Sequence, residues 1–347
     1  MRKVITLLFI ALCFQVFSQK KKKSDKDSDD KTILAKANLS GLKFRSLGPA
    51  LTSGRISDIA VNPSNFNEYY VAASAGGVWK TINAGNTFQP IFDGQGSYSI
   101  GCVTLDPNNP NVVWVGTGEN NNQRSVSYGD GVYRSEDGGN SWENVGLKTS
   151  EHIGKIIVHP ENSNIVYVAA IGPLWSAGGD SGLYNTEEGG KTWKAELTID
   201  VHTGVNDVVM DPRNPDVLYA SAFQRRRHVF TYVGGGPGSG IHKSEDGGKT
   251  WKKINSGLPS TMLGRIGLAI SEPNPEYIYA IVEASQGKGG FYRSTNRGAS
   301  WEKMGDFSTS GNYYQEIFTD PVNPERVYAM NNWMRVTNDG GKTFDYV

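Results

Sequence analysis

Acidic, basic and aromatic side chains gather in three stretches of this sequence where no strand pattern runs. Glu119–Asp130 reads ENNNQRSVSYGD, Ile171–Ser181 reads IGPLWSAGGDS, and Phe223–Gly240 reads FQRRRHVFTYVGGGPGSG. Glu119 and Asp180 are the pair of carboxylates with the spacing freedom for general acid and base work on a glycosidic bond, which needs two carboxyl groups about 5–10 Å apart. Arg124, Tyr128, Trp175, Arg225, Arg226, Arg227 and His228 form a set suited to binding. Aromatic faces take sugar rings, amides and guanidinium groups pair with hydroxyls, and an Arg cluster also captures a peptide carboxylate. Other chemistries lack their residues. No His pair has metal-ligand spacing, and neither a nucleophile elbow nor a phosphate loop is present, so neither metal nor cofactor is expected.

The elements that must position these residues recur. An Asn-Pro or Asp-Pro type turn followed by a β run appears at Val61–Pro63, Asp106–Pro110, His159–Asn162, Asp211–Pro215, Glu272–Pro275 and Asp320–Pro324. A second turn, ending on an aromatic, appears at Thr81–Phe88, Ser135–Trp142, Thr186–Trp193, Ser244–Trp251, Ser294–Trp301 and Thr337–Phe344. Each unit of about 50 residues reads as four short strands punctuated by Pro, Asn and Gly pairs that suit tight turns. A lone four-stranded sheet cannot bury both its faces, so such units stack around an axis. The expected fold is an all-β propeller, with six blades visible.

Composition agrees. The 347 residues include 42 Gly, 8 Trp and 16 Tyr, with 35 Lys+Arg balancing 35 Asp+Glu. Zero net charge argues against a nucleic-acid surface, and two cysteines build no disulfide framework. Arg2 and Lys3 precede an apolar run from Val4 to Phe17 with a small residue at Ser18, a secretory signal over 1–18 that is too short to span a membrane. Residues 19–41 read as a charged spacer and 42–347 as the propeller. Cys102, in an apolar run, reads as a core residue.

The second turn carries a resemblance. SEDGGNSW at Ser135–Trp142 and SEDGGKTW at Ser244–Trp251 resemble the Asp-box, or bacterial neuraminidase repeat. The marker positions are Asp137 with Trp142, Glu188 with Trp193, Asp246 with Trp251, Asn296 with Trp301, and Asp339 with Phe344, while Asn83 and Phe88 hold them in the first unit. Asp-box propellers include sialidases, xyloglucanase-type glycoside hydrolases, sortilin-like receptors and photosystem assembly propellers. The box is expected to be structural. Gly54–Pro63, Tyr70–Ala73 and Gly76–Trp79 resemble the first blade of the xyloglucanase-type hydrolases, where the resemblance implies a catalytic Asp at the position Ser74 occupies, and a second acid in a further propeller. The resemblance to sortilins implies extracellular ligand binding without a catalytic pair. The expectation is an exported propeller that binds a glycan or peptide on its loop-rich face, with glycoside hydrolysis as the alternative.

One segment bears on blade count. Leu42–Pro49 runs into Gly54-Arg55-Ile56 as Lys252–Pro259 runs into Gly264-Arg265-Ile266. Leu42–Leu47 therefore reads as the outer strand of a blade before the first, which predicts seven blades in the intact ring and further sequence downstream of Val347; the alternative is a six-bladed ring in which Leu42–Leu47 competes with or reinforces the last strand.

Overall fold

The computed structural model describes residues 54–347, so the expected signal, the spacer and the Leu42–Leu47 strand lie outside the described residues. Six four-stranded antiparallel sheets follow one another. Blade one is β1 (Ile56–Val61), β2 (Tyr69–Ala73), β3 (Gly77–Thr81) and β4 (Gln89–Pro90). Blade two is β5 (Ile100–Asp106), β6 (Asn109–Thr117), β7 (Val132–Ser135) and β8 (Glu143–Gly146). Blade three is β9 (Ile153–His159), β10 (Asn162–Ala170), β11 (Gly182–Thr186) and β12 (Lys194–Leu197). Blade four has β13 (Thr203–Asp211) and β14 (Asn214–Gln224), then a small ribbon of β15 (Arg226–Arg227) and β16 (Tyr232–Val233), then β17 (Gly240–Ser244) and β18 (Lys252–Lys253). Blade five is β19 (Leu263–Ile270), β20 (Ile278–Ala284), β21 (Gly290–Ser294) and β22 (Glu302–Gly305). Blade six is β23 (Ile317–Thr319), β24 (Val327–Ala329), β25 (Arg335–Thr337) and β26 (Asp345–Tyr346). The expected propeller of four-stranded blades is the observed fold.

Apolar packing lies between blades, because each sheet must cover two faces. Tyr70, Ala72, Val103 and Val115 join blades one and two; Trp114, Val132, Ile156 and Val168 join two and three. Tyr167, Leu183, Val208 and Leu218 join three and four; Tyr219, Ile241, Ile266 and Ala280 join four and five; Tyr279, Phe291, Ile317 and Val327 join five and six. Middle strands of inner blades are accordingly buried on both faces: Val112–Thr117, Val166–Ala170, Val217–Phe223 and Ile278–Val282 are unbroken buried runs. In blades one and six the middle strands alternate. Tyr70 and Ala72 are buried while Tyr69, Val71 and Ala73 are not, and Tyr328 stands half-buried between buried Val327 and Ala329.

The turns that end on an aromatic are hydrogen-bonded units. In blade two the Asp137 carboxylate accepts from the Ser141 amide at 2.8 Å and its hydroxyl at 2.6 Å, and the Ser135 hydroxyl accepts from the Gly139 amide at 2.8 Å. Asp246 and Asp339 repeat the pattern. These bonds hold all three carboxyls down to a pKa of about 2. Asn83 and Asn296 accept the same backbone bond, at 2.9 Å each. Glu188, one methylene longer, keeps its bond to Thr192. The indole of Trp142 donates to the Ile91 carbonyl, Trp193 to Val145 and Trp301 to Ile254, each reaching the preceding blade at its outer strand or the residue just after it. Trp251 differs, donating to Gly248 in its own turn.

Candidate functional site

The three long loops converge, and the Arg225 side chain is what joins them. β14 carries the chain out of blade four to Arg225, whose guanidinium is buried and donates to the Asn121 carbonyl (3.0 Å), the Asn122 side-chain carbonyl and the Gly172 carbonyl (2.8 Å). One residue of the third loop thus ties together the first and second. Burial lowers the proton affinity of this guanidinium, and its three acceptors offset that cost. Arg227 donates from Nε to the Asn122 carbonyl at 2.9 Å and lies 4.5 Å over the Tyr232 ring. Arg226 meets His202 Nδ1 at 3.0 Å. These three arginines are turned inward, each under 9% exposed, and they build the platform rather than presenting charge to solvent.

The Glu119–Asn122 segment crosses the middle of this face. The Glu119 carboxylate pairs with Arg55, and its carbonyl meets His152 Nδ1 at 3.0 Å. Arg55 also lies 4.8 Å over the Tyr313 ring. Asn120 accepts from Arg265 through its carbonyl (2.9 Å) and donates to Glu316 (3.2 Å). Asn122 donates from its amide to the Asn312 carbonyl (2.9 Å) and from its side chain to the Gly311 carbonyl (3.1 Å). The segment therefore reaches from blade two to contacts on blades four, five and six. Gly118 starts it with φ of +85°, and a Cβ there would meet the Glu151 carbonyl oxygen at 1.8 Å, so only glycine fits.

The two carboxylates proposed for catalysis have separate surroundings. Glu119 is buried and ion-paired; Asp180 accepts from the Thr149 amide (3.1 Å) and hydroxyl (2.7 Å). Ser74 is buried, with its amide donating to the Arg55 carbonyl at 2.9 Å. Exposed on the platform are Arg124, Tyr128, Trp175 and His228. Tyr128 is 68% and Trp175 43% exposed. His228 stacks on the exposed Phe230 with centroids 5.9 Å apart.

Beneath the segment runs a central channel of about 510 Å³, lined by the innermost strands. Its charged lining escaped the sequence reading. Four residues before the turn residue Asn62, Asp106, His159, Asp211, Ser271 or Asp320, the six repeats place Asp58, Cys102, Lys155, Asp207, Gly267 and Glu316. Superposing the repeats on their turns would have exposed this position. Burial raises the pKa of Asp58, Asp207 and Glu316, and the Lys155 ammonium opposes it. Burial works against the Lys155 charge too, but the three carboxylates outweigh it and hold the amine protonated. Asp58 also accepts from the Val103 amide at 3.1 Å and Asp207 from the Leu268 amide at 2.8 Å, so these carboxylates stitch successive blades. Cys102 is buried in the core between blades two and three, where burial pushes its thiol pKa up.

Comparison with known proteins follows the same outline. A sortilin family model, described as "Sortilin, neurotensin receptor 3", matches residues 130–286. A xyloglucanase of Acetivibrio thermocellus is 24% identical over 328 residues, covering 84% of this chain and 38% of its own length. A xyloglucanase of a Paenibacillus species is 25% identical over 318 residues, covering 88% of this chain and 27% of its own. The crystal structure of a GH74 xyloglucanase from Xanthomonas campestris has a TM-score of 0.60 at 16% identity, over 83% of this chain and 45% of that one. The chain is a sortilin- and xyloglucanase-like β-propeller. It spans about two fifths or less of the two curated relatives. The propeller is also similar to the solved structure of YCF48 bound to D1 peptide, with a TM-score of 0.53 at 16% identity, over 86% of this chain and 83% of that one. Among the described residues, no helix is long and apolar enough to cross a membrane.

Proposed function

We propose that this propeller is exported and binds an extracellular polysaccharide on the face formed by its three long loops. The observation that carries the reading is the Arg225 clasp. It fixes loops from blades two, three and four as one surface, and the side chains left facing solvent there include Tyr128, Trp175 and His228. A rigid platform with exposed aromatic faces suits a sugar chain, because little ordering entropy is lost on binding. The relatives named as xyloglucanases favour a β-glucan of that type.

Hydrolysis is the second reading, favoured by the same relatives. It places Glu119 and Asp180 at the reaction, with Glu119 freed from Arg55 when substrate enters. The test uses soluble xyloglucan and mixed glucans with the exported protein. Titration calorimetry should show binding, weakened about tenfold, or roughly 1.4 kcal/mol, by Trp175→Ala. Absence of binding to every glucan by folded wild-type protein would overturn the reading. Sugar release that Glu119→Gln abolishes while binding persists would promote the hydrolase in its place.

A further inference from the structure

Charges taken into a protein interior normally pair directly, but those of the central channel stand apart. The channel runs from Asn120, in the crossing segment, to Pro160, Pro212 and Glu272 at the turns between first and second strands, on the side opposite the long loops. Asp58, Lys155, Asp207 and Glu316 lie deep in the molecule, yet each is only half-buried, because one side borders the lumen. Among the described residues the Lys155 ammonium has no ion-pair or hydrogen-bond partner. It lies 5.5 Å over the Phe318 ring, and the three carboxylates act on it through space alone. Asp58 receives the Ile59 and Val103 amides, one on each oxygen, and Asp207 receives the Leu268 amide, so both keep lone pairs for a further donor. At the Asn120 end, Arg265 is 1% exposed and its Nε has no partner, and neither has Asn120 Oδ1. Among the described residues, no three acidic, His or Cys side chains converge to hold a metal ion.

We propose that this channel binds a neutral mono- or disaccharide, at a site separate from the loop platform and independent of it. A hydroxyl is the group that closes the gap between these charges, because it accepts from an ammonium and donates to a carboxylate at once. Lys155 then donates to the sugar, and Asp58 and Asp207 accept from it. At the Asn120 end, Arg265 Nε offers a donor and Asn120 Oδ1 an acceptor. Charge fixes the class of ligand. An anion meets three carboxylates and a cation meets Lys155 and Arg265, so either is opposed by like charge. The lumen of about 510 Å³ falls within the roughly 300–1,000 Å³ usual for small-molecule sites. Between the polar groups its walls are apolar, with Phe318, Ile157 and Leu268 to meet the C–H faces of a pyranose. The crossing segment stands over the loop side, so entry is from the turn face.

Saturation-transfer NMR of the native protein with glucose, galactose, xylose and cellobiose tests this. Transfer should reach at least one of these sugars, and the charged relatives glucuronate and glucosamine should bind about tenfold more weakly than the best of them. Asp207→Asn keeps the shape of its side chain, and Phe318→Ala replaces a residue 42% exposed. Each should weaken the best sugar about tenfold in protein that thermal unfolding shows to be folded, while Trp175→Ala leaves it unchanged. Should Asp207→Asn fail to fold, Phe318→Ala decides alone. Absence of transfer to all four neutral sugars, preference for either charged one, or binding that survives both channel substitutions would overturn the proposal. Xyloglucan binding that depends on Trp175 reports on the loop platform alone, so the two readings fail separately.

Discussion

His242 is one residue through which acid should weaken this protein. It sits on β17, buried, with no hydrogen-bond partner for Nδ1. Burial, assisted by Lys253, pushes its pKa down to about 4. An unfolded imidazole titrates near 6.5, so below that pH the unfolded chain binds the proton more readily. The stabilisation is complete above about pH 6.5 and falls away toward pH 4, by roughly 3 kcal/mol at most. His152, lowered well below 6.5 by burial and by Arg225, acts in the same direction. Asp137, Asp246 and Asp339 hold their charge to about pH 2 in the folded state, so the stabilisation they give is intact near neutrality and starts to be lost only below about pH 5. Urea midpoints at pH 7 and pH 4.5 should separate for wild type and draw together for His242→Gln. Arg225 works at the same scale. Its removal in Arg225→Ala leaves three buried acceptors without a donor, which costs about 3 kcal/mol or more. Thermal unfolding should show that loss together with faster proteolysis of loops 119–130 and 171–181, which a simple loss of surface charge would not cause.

At the scale of elements, the repeats were legible because their signals are local. Pro after Asn or Asp, and Asp-Gly-Gly before an aromatic, each fix a turn within eight residues, so four strands per blade follow from the sequence alone. The convergence of the three loops was also readable, since consecutive blades are neighbours. Which side chains face outward was not. Arg225, Arg226 and Arg227 look like a solvent-facing cluster as a string, but the acceptors that draw them inward lie on Asn121, Asn122 and Gly172, far away in sequence. Lys155 was hidden for a related reason: its three carboxylate neighbours come from other blades, each inside an apolar run. Gly118 is the hinge on which the crossing segment depends. Gly118→Ala adds strain at positive φ and a collision with the Glu151 carbonyl, and should lower stability by about 2 kcal/mol or more. Chemical denaturation measures it directly; an unchanged midpoint would mean that the segment crosses the face by another path.

The whole molecule places one ammonium, from blade three, among carboxylates from blades one, four and six. Lys155→Met removes that cation and leaves three carboxyls whose pKa values burial already raises. A carboxyl with a raised folded-state pKa gains a proton more readily folded than unfolded, so acid favours the folded variant. The deficit of Lys155→Met relative to wild type should therefore narrow as the pH falls from 7 toward 5, measured by parallel urea titrations. An equal deficit at every pH would count against electrostatic joining of the blades. The segment crossing the upper face has a separate consequence, for cooperativity. Stacked repeats that touch only their neighbours melt piecemeal, the end units fraying first. Here Asn122 of blade two is bonded to Gly311 and Asn312 before blade six, while Arg225 and Arg265 bond the same segment from blades four and five. Such long-range staples couple units that a linear array would leave independent. Blade six cannot fray without releasing blade two, and the array should unfold in one transition. Asn122→Ala should split it, with the last blade melting first.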